Sequence, residues 1–297
     1  MYSWFTRFGY RLTCSHCLFA VDWTYRNIAA VALGVFIGLF VLVAVGNVAY
    51  FPVGYGPDTD AWSTVEDDES ITLERFGSGT VVRSGPFIDD TVGVIYYPGA
   101  RVNHESYVPT AAEIITERDA VIIFVDMPLY LTVLASDRAA DAITTQPAVE
   151  SWYIAGHSLD GAMACSYAAT NAPEIVGVVL HAAYCDVDIS DTDLQVLSVL
   201  GTNDGVIDAD RERGRRALLP AETEIVELDG VNHAGFGAYG PQSGYNPTSR
   251  EPTTMRADVA AVTGTWLAGI DTDTTSETPR IPLQMCLRPS AASVLIC

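Results

Sequence analysis

Lysine is absent from this chain, so all 16 basic residues are arginines, set against 37 Asp and Glu for a formal net charge of −21. With so few cations we expect no nucleic-acid partner, because binding DNA or RNA requires clustered basic residues that neutralise phosphates. An acidic, lysine-free surface suits high salt, where screening makes the repulsion between carboxylates tolerable. From composition alone we therefore predict a halophilic protein from a halophilic archaeon, with a merely acidic protein as the alternative.

Cysteine is also scarce, with six in 297 residues. Cys14 and Cys17 flank His16, but two or three ligands without a second pair nearby make an incomplete metal site. Ordinary thiols are therefore favoured there over a metal or redox site. Cys165 and Cys185 fall in apolar stretches and are expected to be buried core thiols. We expect neither a metal nor an organic cofactor.

One long uncharged run, Ile28–Gly46, has 19 residues, about the length that spans a bilayer as a helix. A buried soluble helix and a cleaved signal peptide are the alternatives, but Asn47-Val48-Ala49 is a poor cleavage site. Three arginines and one aspartate precede the run, and an acidic segment follows it. The positive-inside rule then places the N-terminus in the cytoplasm and the large domain outside. We predict a single-pass protein anchored in the lipid bilayer through residues 28–46.

Composition divides the chain into five predicted segments. The segment from Pro52 to about Ser70 is rich in Asp, Gly and Pro, which is typical of a solvated tether. The last residues combine turn-forming composition with a short apolar stretch, which favours disorder. The predicted segments are a cytoplasmic segment (1–27), a transmembrane helix (28–46), an acidic tether (47–70), a catalytic domain (71–270) and a disordered tail (271–297).

Within the catalytic domain, apolar strand-like runs alternate with helical patterns, which predicts a mostly parallel sheet with helices on both faces, an α/β fold. The predicted strands are Ile71–Glu74, Gly79–Arg83, Val92–Tyr97, Ala120–Val125, Trp152–Ala155, Ile175–Leu180, Val196–Leu200 and Glu224–Leu228. The predicted helices are Tyr107–Glu117, Ser136–Ile143, Leu159–Thr170, Ala209–Leu218 and Thr254–Ala268. Reactive groups are expected at the carboxyl ends of the strands.

The motif with most chemical content is Gly156-His157-Ser158-Leu159-Asp160-Gly161, between an apolar strand and a small-residue helix. A serine on a sharp strand-to-helix turn is exposed for nucleophilic attack, and the helix N-terminus behind it supplies free N–H groups. Ser158 is therefore the candidate nucleophile. The pattern G-x-S-x-G calls for glycine at position 160, where this chain has aspartate.

A serine nucleophile needs a base and an acid that orients it. Of the five histidines, His233 follows a predicted strand on a loop, and it comes after the serine in the chain. Asp204 follows another predicted strand and lies between Ser158 and His233 in sequence. A satisfied loop histidine and a turn-forming aspartate are the alternatives. Asp208 and Asp186 are the reserve candidates for the acid.

These residues make the chain resemble the alpha/beta-hydrolase superfamily over residues 71 to about 268, and within it the small, lid-less, dienelactone-hydrolase-like branch. The resemblance is carried by Val94–Val102, the turn at Ser158, Gly201–Asp204 and Asn232-His233. It implies acyl transfer with Ser158 as nucleophile, His233 as base and Asp204 as orienting acid. It also implies an oxyanion hole formed by the backbone N–H groups of Leu159 and Ala100.

Four further residues are candidate contacts for a small ester or acyl substrate: Arg101, Tyr107, Met127 and Phe236. We therefore predict a membrane-anchored serine hydrolase of carboxylic esters, with a peptidase or thioesterase using the same triad as an alternative. Asp160 supplies a second alternative, because a carboxylate in the turn threatens its geometry and opposes the oxyanion. If the turn tolerates it, we expect the Asp160 side chain to point to solvent. Otherwise the protein is a catalytically impaired binding protein.

Overall fold

The computed structural model describes residues 54–77, 79–86, 91–135, 137–171 and 174–269, together with Gly38. The predicted cytoplasmic segment (1–27), transmembrane helix (28–46) and tail (271–297) lie outside the continuous described ranges, as do Cys14 and Cys17. Among the described residues, no helix combines the length and apolarity needed to cross a membrane. The domain described below begins at Gly54, where the chain divides into two units.

An eight-stranded sheet with strand order β1-β2-β4-β3-β5-β6-β7-β8 forms the centre of this domain. The first two strands pair antiparallel, and β2 pairs antiparallel with β4, whereas every later pairing is parallel. The strands are β1 Thr72–Phe76, β2 Gly79–Arg83, β3 Val92–Tyr97, β4 Ala120–Phe124, β5 Ser151–His157, β6 Ile175–His181, β7 Gln195–Gly201 and β8 Glu224–Leu228. The central strands are buried on both faces, so they are almost continuously apolar.

Helices cover both faces of the sheet, and each face has its own apolar core. The helices are α1 Thr59–Glu66, α2 Val108–Glu117, α3 Arg138–Thr145, α4 Leu159–Thr170, α5 Ala209–Arg215 and α6 Pro252–Ala268. Apolar residues of α1, α2 and α6 belong to one core, and those of α3 and α4 to the other. This α/β arrangement brings the loops after β3, β5, β7 and β8 to one edge of the sheet.

All eight predicted strands and all five predicted helices are present, with ends that differ by a few residues. The difference lies in the predicted acidic tether (47–70), where residues 59–66 form helix α1. Asp58 caps this helix by accepting from the N–H groups of Asp60 and Ala61, and Val65 is buried in the core. A side-chain cap and an apolar contact therefore order a segment whose composition alone predicts a solvated chain.

Cys165 and Cys185 form a disulfide, with their Cα atoms 5.7 Å apart. The prediction of two separate core thiols is therefore wrong for this pair, although both residues are fully buried as expected. The bond joins helix α4, which begins directly after Ser158, to the loop that follows β6.

Candidate active site

The turn at Ser158 has the backbone strain expected of a nucleophile elbow. Strand β5 ends at His157, α4 begins at Leu159, and Ser158 between them has φ 58° and ψ −131°. Few non-glycine residues adopt a positive φ, so the surrounding structure must impose it. The Ser158 N–H donates to the His181 carbonyl (3.0 Å), and the Gly161 N–H donates to the Ser158 carbonyl (3.1 Å). These bonds hold the serine at the carboxyl edge of the sheet.

The close approach at the elbow is made by Gly156 and Gly161. A Cβ on Gly156 would lie 2.5 Å from the Asp160 carbonyl oxygen and 2.7 Å from Gly161 Cα. A Cβ on Gly161 would lie 2.3 Å from the Cβ of Ala183. The pattern G-x-S-x-G predicts a small residue at position 160, but in this structure a small residue is needed at position 161. The turn therefore accommodates aspartate at position 160.

Asp160 points into the protein, so the expectation that it turns to solvent is wrong: the residue is 1% exposed. Neither carboxyl oxygen makes a hydrogen bond of standard geometry. Burial raises the pKa of Asp160 from 3.8 to about 7, and the nearby hydroxyl and N–H of Thr132 offset only part of the rise. The carboxyl is therefore largely uncharged at mildly acidic pH.

Asp204 and His233, which the sequence predicts as acid and base from their positions after β7 and β8, lie in contact. Asp204 Oδ2 lies 2.8 Å from His233 Nδ1. Its Oδ1 accepts from the N–H groups of Val206 (2.8 Å) and Ile207 (2.7 Å), which leaves the other oxygen for the imidazole. The His233 N–H also donates to the Asp204 carbonyl at 3.2 Å. The carboxylate is thus oriented to fix the histidine tautomer and stabilise its cation.

The free nitrogen of His233 is available for a proton transfer. His233 is fully buried, and its Nε2 has no hydrogen-bond partner among the described residues, Ser158 included. The ring of His157, the residue before the nucleophile, lies 4.5 Å from the His233 ring, centroid to centroid. The structure therefore places the candidate base His233 beside the turn at Ser158, without a Ser158–His233 hydrogen bond. Such bonds often form only when substrate is present.

The two predicted oxyanion donors lie at the carboxyl edge of the sheet. One is at the start of helix α4, and the other is in the loop after β3. Leu159 is the first residue of α4, so its N–H has no acceptor within the helix, and its side chain is 52% exposed. Ala100 lies in a turn closed by the Val102 N–H, which donates to the Gly99 carbonyl at 2.9 Å. The Ala100 N–H donates to no backbone carbonyl in the part of the chain that the structure describes.

The candidate substrate contacts are mostly buried. Tyr107, Met127 and Phe236 are 1%, 3% and 0% exposed, and their contact with a substrate stays a prediction. Each packs against neighbouring apolar side chains in one of the two cores. Arg101 lies at the edge, with its guanidinium 5.7 Å from the centre of the Tyr55 ring. The sequence indicated these residues only by their position in loops. That position does not distinguish a residue that packs against the site from one that contacts the substrate.

The other described histidines have structural partners. His181 bonds to Tyr96 through Nδ1 (3.0 Å) and to Thr263 through Nε2 (2.9 Å), and burial lowers its pKa to about 3. His104 bonds to Thr80 at 3.2 Å, and burial lowers its pKa despite the nearby Asp126. At the elbow, His157 Nδ1 lies 2.9 Å from the Tyr107 hydroxyl, whereas His233 Nδ1 lies 2.8 Å from the Asp204 carboxylate, which makes His233 the candidate base.

A large cavity of about 1160 Å³ lies away from this chemistry, at the amino ends of β7 and β8. Its lining includes Gln195, Val196, Glu224 and Trp266, and none of Ser158, Asp204 or His233. Within the described residues, no group of three or more His, Cys, Asp or Glu side chains is placed to hold a metal ion. The carboxyl edge of the sheet is therefore the candidate active site.

Residues 93–256 match the family model of the alpha/beta hydrolase family. The chain belongs to this family. The match covers β3 to the start of α6 and includes the elbow, Asp204 and His233. Membership makes the protein a hydrolase by family, and no curated protein matches the chain.

Solved structures of other proteins resemble the chain in fold at low sequence identity. A CIB-like hydrolase from Thermoplasma acidophilum is 11% identical with a TM-score of 0.50, covering 66% of this chain and 99% of its own. Carboxylesterase CesB from Bacillus subtilis is 11% identical with a TM-score of 0.47, covering 65% and 94%. At such identities the likeness concerns the fold and carries nothing about substrate.

Proposed function

We propose that this alpha/beta hydrolase is a serine hydrolase that cleaves carboxylic esters or related acyl compounds through Ser158, His233 and Asp204. The observation that carries the proposal is the 2.8 Å contact between Asp204 Oδ2 and His233 Nδ1, with the opposite nitrogen of the same imidazole unpartnered beside the elbow. An oriented imidazole with one free nitrogen is what a serine nucleophile requires.

In the proposed reaction, Ser158 Oγ attacks the acyl carbonyl while His233 Nε2 takes its proton. Asp204 stabilises the imidazolium, and the N–H groups of Leu159 and Ala100 stabilise the oxyanion. His233 then protonates the departing alcohol, which leaves an acyl group on Ser158. A water molecule, deprotonated by His233, hydrolyses this acyl-enzyme and restores the serine hydroxyl. The residues present complete both half-reactions without a metal ion or cofactor.

The substrate class that we propose is an ester with a small or medium acyl group. The sequence predicts no lid, as in the dienelactone-hydrolase-like branch to which we assign the chain. Leu159 presents an exposed apolar side chain directly beside the nucleophile, which favours an uncharged acyl group. Cleavage of long-chain lipids with no activity on short p-nitrophenyl esters would contradict this part of the proposal.

Covalent labelling tests the nucleophile. The full chain, in high salt and detergent, is treated with a fluorophosphonate probe beside a Ser158→Ala variant and a Ser166→Ala control on the same helix. We expect labelling of the wild type and of the control, and none of Ser158→Ala. A folded wild type that does not label, or a Ser158→Ala variant that still does, would refute the proposal.

A catalytically impaired binding protein is the second candidate, and buried Asp160 is the observation that favours it. An unpartnered carboxyl in the elbow destabilises the folded state, and once ionised it opposes the oxyanion. Asp160→Gly separates the two candidates. A large gain in ester turnover would indicate a damaged enzyme, whereas an unchanged rate would show that the turn accommodates aspartate.

We further propose that the enzyme is anchored in a membrane by residues 28–46 and faces the outside of a halophilic cell. The disulfide between Cys165 and Cys185 supports an oxidising compartment. The lysine-free composition and charge of −21 support high salt. Carbonate extraction of membranes and protease protection of intact cells test the anchor and its orientation. Release of the full chain by carbonate would refute the anchor.

A further inference from the structure

Tyr107 contacts both the loop after β3, which carries Ala100, and His157, the residue before Ser158. It ends a short 3₁₀ turn before α2 and is 1% exposed. Its ring lies 5.0 Å from that of Tyr96, 6.4 Å from Phe124 and 5.7 Å from His157, measured between centroids. Packing on several sides leaves the ring one orientation, so the position of its hydroxyl is set by the fold.

The Tyr107 hydroxyl connects the oxyanion loop to the elbow. The Gly99 N–H donates to the phenol oxygen at 3.0 Å, and His157 Nδ1 lies 2.9 Å from the same oxygen. Because the Gly99 N–H can only donate, the phenol oxygen accepts this bond, and the phenol proton is left for His157 Nδ1 or for the hydroxyl of Tyr239, which is a second neighbour within hydrogen-bonding reach. Burial raises the pKa of Tyr107 and lowers that of His157, which keeps this pair uncharged.

The contact between Gly99, Tyr107 and His157 leaves no space for a side chain at position 99. A Cβ on Gly99 would lie 2.5 Å from His157 Nδ1 and 2.8 Å from the Tyr107 oxygen. The loop backbone, the phenol and the imidazole are therefore packed at van der Waals distance, and a shift of one must move the others. His157 also packs on His233, so the same group supports the base.

We propose that Tyr107 is a positioning residue, whose hydroxyl accepts from the Gly99 N–H, holds the Pro98–Gly99 peptide group in place, and so sets the position of the Ala100 N–H that follows in the oxyanion loop. This inference rests on the proposed function. The Ala100 N–H, one residue further along the loop, donates to no backbone carbonyl in the described part of the chain, so it is a candidate donor to the oxyanion. A donor contributes to catalysis only if it is held where the charge develops, so loosening the loop reduces transition-state stabilisation more than substrate binding.

Tyr107→Phe in the full chain is the test, because it removes the hydroxyl and keeps the ring. Loss of one oxyanion donor lowers kcat by about 100- to 1000-fold, so a loosened donor should lower it by about 10-fold or more, with KM within about 2-fold. The inhibition constant of a trifluoromethyl ketone, which mimics the tetrahedral intermediate, should rise by the same factor as kcat/KM falls. Fluorophosphonate titration supplies the concentration of active sites.

Tyr96→Phe is the matched control. This tyrosine is 4% exposed and packs on Tyr107, but its hydroxyl bonds to His181. We expect its kcat and inhibition constant to stay within about 2-fold of the wild type. Equal losses in Tyr107→Phe and Tyr96→Phe, or an unchanged kcat in Tyr107→Phe, would overturn the inference.

Two further outcomes are separable. If Tyr107→Phe does not fold, 3,5-difluorotyrosine at position 107 retains ring and hydroxyl but makes the oxygen a weaker acceptor. A lowered kcat then supports the inference, and an unchanged kcat overturns it. A folded wild type without esterase activity or fluorophosphonate labelling refutes the proposed function and this inference together, whereas an active wild type with an unaffected variant refutes the inference alone.

Discussion

The burial of Asp160 makes the stability of this protein depend on pH in a direction that can be measured. Its pKa rises from 3.8 to about 7 because the residue is 1% exposed, and the hydroxyl and N–H of Thr132 offset only part of that rise. The folded protein therefore keeps a proton that the unfolded chain has released. The stability linked to this group is fully present below about pH 4 and is lost as the pH rises through about 7.

The magnitude follows from the two pKa values of Asp160. Each pKa unit corresponds to about 1.4 kcal/mol, so the change from 3.8 to about 7 amounts to about 4 kcal/mol in total. Between pH 5 and pH 8 the expected loss is roughly 3 kcal/mol, which is a large fraction of the stability of an ordinary domain.

Asp160→Asn removes the ionisation while keeping the shape of the side chain. The free energy of unfolding of the variant minus that of the wild type should increase by roughly 3 kcal/mol from pH 5 to pH 8. Urea unfolding of the full chain at constant salt, followed by tryptophan fluorescence, measures this difference. The matched control is Asp141→Asn, which removes an exposed carboxylate from the first turn of α3.

Two results would refute the reasoning. A difference between Asp160→Asn and the wild type that stays constant from pH 5 to pH 8 would mean that the carboxyl keeps its ordinary pKa. A difference of the same size and slope in Asp141→Asn would mean that general charge repulsion, and not burial, sets the pH dependence.

The remaining predictions concern the acid, the elbow and the disulfide. Asp204→Asn should lower kcat by about 1000- to 10,000-fold in an ester assay, because the histidine loses its orienting carboxylate, whereas Asp208→Asn should not. Gly161→Ala should destabilise the protein by about 1–3 kcal/mol in urea, and Ala183→Gly should restore part of this by removing the Cβ it meets. Replacing Cys165 and Cys185 by alanine together should lower the free energy of unfolding by about 3 kcal/mol, which an unchanged urea midpoint would contradict.

The strands could be predicted from the sequence because a sheet buried on both faces needs continuous runs of Val, Ile and Leu. The pair Asp204 and His233 could be predicted for a related reason: each follows a strand, and the ends of parallel strands meet at one edge. Their 2.8 Å contact agrees with that expectation of proximity. Their catalytic roles remain predictions until Ser158 is labelled.

Contacts between distant segments could not be predicted in the same way. Asp58 and Val65 order a helix within an acidic segment because residues far along the chain bury Val65. Nothing in the local sequence of Tyr107 distinguishes a buried residue that packs against the loop after β3 from a residue at the mouth of a pocket. The pairing of Cys165 with Cys185 depends on two elements meeting in space. In each case the decisive partner is remote in sequence.

Asp160 joins these two kinds of information. The pattern G-x-S-x-G treats position 160 as the point of closest approach, but here Gly156 meets Gly161, so aspartate does not block the turn. Burial then removes most of its charge below about pH 7, which is the charge that would oppose an oxyanion. The departure from the family pattern is therefore compatible with catalysis at mildly acidic pH. Its cost falls on stability, because the carboxyl is buried and the neighbouring Thr132 offsets only part of the penalty for its charged form.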